Sequence, residues 1–98
     1  MFDRIRKNEK RLDEITESIQ ELDNALDKFK EQKTNIKELN KYYESKTWLK
    51  DYDSYNPKEF KNVKAGVLSE DAIWNMNEAV NEAFYKMERI VGERSEYR

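Results

Sequence analysis

From Ile5 to Tyr43 the apolar residues recur at heptad spacing: Ile5, Leu12, Ile15, Ile19, Leu22, Leu26, Phe29, Ile36 and Tyr43. Ile5, Leu12, Ile19 and Leu26 take position a, and Ile15, Leu22, Phe29, Ile36 and Tyr43 take d. Asn8 is a polar d; Lys33 and Asn40 are polar a positions. No Gly or Pro interrupts the run, so the pattern predicts one coiled-coil-like helix over residues 1–44, of which the stripe from Ile5 to Tyr43 covers about 60 Å at 1.5 Å per residue. A rod of this kind cannot cover its own stripe and needs a second surface.

Residues 69–92 supply a candidate. Ser69 suits an N-cap, Glu70 and Asp71 favour the positive end of the helix dipole, and Leu68 can staple onto Ile73. Ile73, Met76, Val80, Ala83, Phe84, Met87, Ile90 and Val91 then fall on one face, and Gly92 offers a stop. The expected fold is all-α: the long N-terminal helix in an antiparallel hairpin with this C-terminal helix. An antiparallel pairing sets Glu70, Asp71, Glu78 and Glu82 near Lys41, Lys37, Lys33 and Lys30, whereas a parallel one opposes unlike charges less well. A partner ending near Val91 reaches back only to about residue 20, leaving Ile5, Leu12 and Ile15 without cover. Fraying, encouraged by Arg4, Arg6 and Lys7 near the N-terminus, is one consequence. Self-association through Ile5 and Leu12 is the other.

Between the helices, residues 45–68 read as an aromatic connector. Ser45 can cap a short helix over Lys46–Asp53, and Asn56-Pro57-Lys58-Glu59 reads as the cap and first turn of another ending near Gly66. Residues 93–98 form a tail. At 98 residues the chain is expected to be one domain with a thin core.

The segment 41–64, which includes most of the connector, interleaves Tyr42, Tyr43, Trp48, Tyr52, Tyr55 and Phe60 with Lys41, Lys46, Lys50, Lys58, Lys61 and Lys64. A satellite core closing the hairpin is the simplest account. Trp48, Tyr52 and Tyr55 are the candidates for a protein-binding surface, because such residues anchor interfaces. Single-stranded nucleic acid held by Lys46, Lys50, Lys58 and Lys61 around these aromatics is the alternative. It is disfavoured because the segment has no Arg and Glu44, Asp51, Asp53 and Glu59 offset most of its positive charge.

Catalysis finds little to work with. The chain has no His and no Cys, which removes the usual bases, nucleophiles and thiolate ligands. Glu14, Glu17 and Glu21 form a carboxylate ladder with no His to complete a metal site. Asp51 and Asp53 resemble the start of a calcium loop, but Asn56 stands where Gly is needed and Asn62 where Glu is needed. No enzyme, cofactor or metal is expected. The first residues, Met1-Phe2-Asp3-Arg4-Ile5-Arg6, have no apolar run like that of a signal peptide, and a cytoplasmic location is expected.

Tyr42-Tyr43, Ser45-Lys46-Thr47-Trp48-Leu49-Lys50-Asp51-Tyr52, Pro57-Lys58 and above all Gly66-Val67-Leu68-Ser69-Glu70-Asp71-Ala72 resemble a family of short bacterial proteins, mainly Gram-positive, catalogued as a domain of unknown function. The resemblance spans nearly the whole chain. It implies a bacterial cytosolic setting and no mechanism.

Overall fold

Heptad spacing, scarce Gly and Pro, and well-placed caps produce helix, and the structure, a computed structural model describing residues 1–59 and 64–98, is all-α. Helix α1 spans Phe2–Glu31, α2 Lys33–Tyr43, α3 Lys46–Ser54 and α4 Glu70–Gly92. Single 3-10 turns lie at Gly66–Leu68 and Arg94–Tyr97. No strand occurs among the described residues.

The stripe expected to run unbroken to residue 44 is carried by two helices. At Gln32 the backbone amide reaches only three residues back, to the Phe29 carbonyl at 3.0 Å, and the i−4 ladder resumes with Ile36 on Gln32. The local sequence explains the interruption: Lys33 removes the apolar a contact, and Thr34 and Asn35 are weak helix formers. The Asn35 amide instead donates to the Gln32 side chain at 3.0 Å.

The chain divides into two compact units, Met1–Glu38 and Leu39–Arg98, with the boundary inside α2. In the first, α1 has no buried residue. Its one ion pair, Lys10 to Glu14 at 3.9 Å, joins two exposed side chains one turn apart and stabilises the helix by only ~0.3–0.5 kcal/mol. It is the only ion pair among the described residues; within the second unit, then, no ion pair ties Lys41 to Glu70 or Asp71.

The second unit is built on capped helices. Ser45 accepts from the Trp48 amide at 3.2 Å to start α3, and Ser69 accepts from the Ala72 amide at 3.4 Å to start α4. Among the described residues only Trp48 and Ile73 are buried. Met76, Asn77, Val80, Ala83 and Met87 continue the α4 face half-buried, while Phe84, Ile90 and Val91 are exposed.

Asn40, the polar a position, finds its reason here. Its amide donates to the Asn77 side chain at 3.0 Å and accepts from it at 2.8 Å, a reciprocal half-buried pair joining α2 to α4 across 37 residues. Removing one member takes this half-buried partner from the other. Asn40→Leu and Asn77→Leu should each cost about 1–3 kcal/mol, whereas the double replacement should return close to wild type. A double-mutant cycle by chemical denaturation checks this; additive losses would show that the pair is not coupled.

As the sequence predicts, α4 ends at Gly92, although without a left-handed turn, since no described residue has positive φ. Glu93 donates back to the Arg89 and Ile90 carbonyls, and the tail winds on as the 3-10 turn Arg94–Tyr97. The Asn56 side chain does accept from the Lys58 amide at 2.9 Å, as a cap should, but the short helix expected after it runs into residues 60–63, outside the described residues.

Candidate functional site

Trp48 is fixed from three directions. Ser45 aims α3 by capping it, and the Ser45 hydroxyl also donates to the Tyr42 carbonyl, which locks the corner between α2 and α3. Tyr43 meets the indole edge-on with centroids 5.0 Å apart, and Tyr52 stacks on it at 5.2 Å. The indole N–H donates to the Val67 carbonyl at 2.8 Å, tying α3 to the Gly66–Leu68 turn. At 4% exposure Trp48 presents no free face to a partner or a nucleobase, so its place is in the core of the second unit.

The other two connector candidates lie further out. Tyr52 is 49% exposed, and its ring is occupied on the side that faces Trp48. Tyr55 is half-buried between two clefts. One, of about 290 Å³, runs past Tyr42, Asp51 and Val67; the other, of about 540 Å³, runs past Tyr52, Pro57 and Ser69; Leu68 lines both. Lys46, Lys50 and Lys58 are exposed. Phe60 and Lys61 lie outside the described residues.

Tyr42 carries a perturbed ionisation. Its hydroxyl donates to the Asp51 carboxylate, and this hydrogen bond, with smaller contributions from desolvation and the carboxylate charge, raises the phenol above its ordinary value near 10. The sign follows. A proton held more tightly in the folded state stabilises it below the unfolded pKa, and that contribution is lost as pH rises through the folded value. In a spectrophotometric titration at 295 nm, Tyr42→Phe should remove a phenol that ionises above its ordinary value. An unchanged alkaline end of the curve would contradict the Tyr42–Asp51 bond.

The N-terminal unit offers a different surface. Ile5, Leu12, Ile15, Ile19 and Leu22 are each 51–61% exposed, although together they are the a and d positions of a heptad stripe. Fully burying such a side chain contributes about 1.5–3 kcal/mol, and most of that gain is unrealised here. Helix of this length draws its stability chiefly from packing of its apolar face; α1 buries none.

A family model for a domain of unknown function, DUF4298, matches residues 5–90. The chain belongs to the DUF4298 family. The match takes in both the α1 stripe and the connector, so neither surface is foreign to the DUF4298 domain. No curated protein and no solved structure matches the chain.

One exposed aromatic of this DUF4298 member escaped the sequence reading. Trp74 follows Ile73 directly yet is 62% exposed, because successive helix positions face about 100° apart. Its signal was available: a large aromatic out of phase with the α4 stripe. Among the described residues no cluster of Asp and Glu is arranged to hold a metal ion, and no helix is long and apolar enough to cross a membrane.

Proposed function

We propose that the chain is a cytoplasmic, non-enzymatic coiled-coil module that binds protein through the apolar stripe of α1. The observation that carries this reading is the exposure of Ile5, Leu12, Ile15, Ile19 and Leu22 on a helix with no buried residue. A helix that keeps a regular seam of large aliphatic residues in water is stabilised by whatever covers that seam. The chemistry of catalysis gives no competing explanation for the stripe: the sequence has neither His nor Cys. The connector contributes less to this function than Trp48 first suggests, because Trp48 is internal and only Tyr52 and the rim of Tyr55 remain for contact.

A photo-crosslinking amino acid placed at Leu12 or Ile15, compared with the same group at the outward f positions Lys10 and Glu17, tests this in host cells. Adducts should form from the stripe positions and not from the f positions. Stripe positions that give no adduct, or f positions that give the same ones, would overturn the reading.

A further inference from the structure

The pattern of charge and apolar residues along α1 points to a second copy of the same helix, lying antiparallel, as the occupant of the stripe; this rests on the stripe being a binding surface. Met1 also falls at d and is 78% exposed, and Leu26 at a is 43% exposed, so the uncovered seam runs from Met1 to Leu26. That is about 40 Å of helix. In an antiparallel pair, a positions of one helix meet d positions of the other. One register satisfies every member: Met1 on Leu26, Ile5 on Leu22, Asn8 on Ile19 and Leu12 on Ile15, each layer occurring twice by symmetry. Sliding either helix by a heptad leaves apolar members of this seam unmatched.

Asn8 does not spoil the register. Its side-chain amide donates to the Arg4 carbonyl at 2.9 Å and its carbonyl accepts from Arg11 at 3.0 Å. Those bonds are made within its own helix, so the group can face Ile19 without being left unsatisfied on both sides.

Charge selects the direction. Residues 1–11 hold Arg4, Arg6, Lys7, Lys10 and Arg11 against Asp3 and Glu9, and residues 16–26 hold Glu17, Glu21 and Asp23 with no base. The antiparallel register lays these stretches against each other at both ends. On the flanks Arg4 meets Ala25, Arg11 meets Ser18 and Glu9 meets Thr16, so no like charges face directly. A parallel, in-register pair would bring Arg4 near Glu9, but it would align the two basic ends, the two positive dipole ends, and the two base-free acidic stretches from Asp13 to Asp27. Each charge contributes little, and their sum sets orientation more than strength.

The test uses the full chain, whose lack of Cys leaves a clean background. Sedimentation should show the mass moving from 11.9 kDa to twice that over the micromolar range. Leu12→Lys/Ile15→Lys should hold it at one chain while the tryptophan emission, which comes from Trp48 and Trp74 in the second unit, stays unchanged. Differently tagged Ile5→Cys and Leu22→Cys chains, mixed and oxidised, should form the mixed disulfide in preference to either symmetric one. A monomer at all concentrations, or a dimer that survives Leu12→Lys/Ile15→Lys, overturns the proposal. So does an excess of symmetric Ile5→Cys disulfide, which would mark a parallel pair. Monomeric mass together with stripe-specific adducts in cells would sink the second copy as occupant and leave the binding surface standing.

Discussion

Trp48→Ala should unfold the Leu39–Arg98 unit at temperatures where the wild-type chain is folded. Truncating a buried Trp costs about 3–5 kcal/mol, and small domains hold only ~5–15 kcal/mol in all. Here the loss falls on one of the two buried side chains among the described residues. It also frees the Val67 carbonyl and removes the ring that Tyr43 and Tyr52 pack against. Trp48→Phe separates these contributions: the stacking partner remains, and the missing indole N–H should cost about 1–3 kcal/mol. Urea denaturation followed by far-UV circular dichroism measures both. A Trp48→Ala chain with an unchanged midpoint would show that the indole is a surface group after all.

Ile73→Ala should come next in severity, at about 2–5 kcal/mol, with Ile73→Val at about 0.5–1.5 kcal/mol. Ile73 is 2% exposed, four positions into α4 from the Ser69 cap, where it can staple against the half-buried Leu68. Its neighbour provides the internal control. Trp74→Ala deletes a larger side chain but an exposed one, and should stay within about 0.5 kcal/mol of wild type. Equal losses at the two positions, measured by the same denaturation, would contradict the orientation of α4.

Much of this was legible in the sequence, and the exceptions have physical causes. The heptad stripe, the caps at Ser45 and Ser69 and the start of α4 depend on residues within a turn or two of one another, so local pattern finds them. Whether Trp48 faces inward depends on the carbonyl of Val67, nineteen residues away, and no local pattern encodes that. Asn40 was visible as a polar interruption of the seam, but its meaning came from Asn77, which sits on the Ile73 face of α4. The break at Gln32 involves no Gly or Pro, the strongest helix breakers; a polar a position beside the weak helix formers Thr34 and Asn35 suffices. Gly92 does mark the end of α4, although without the left-handed turn that glycine permits.

The exposed stripe can be examined in one experiment, methyl NMR of the full chain with a soluble paramagnetic probe, recorded from dilute to concentrated protein. In dilute solution the Ile5, Leu12, Ile15, Ile19 and Leu22 methyls should be strongly broadened while Ile73 is spared, and the five should become protected as concentration rises. Stripe methyls that are shielded even in the most dilute sample, or that remain fully accessible in the most concentrated one with every candidate partner present, would contradict the account.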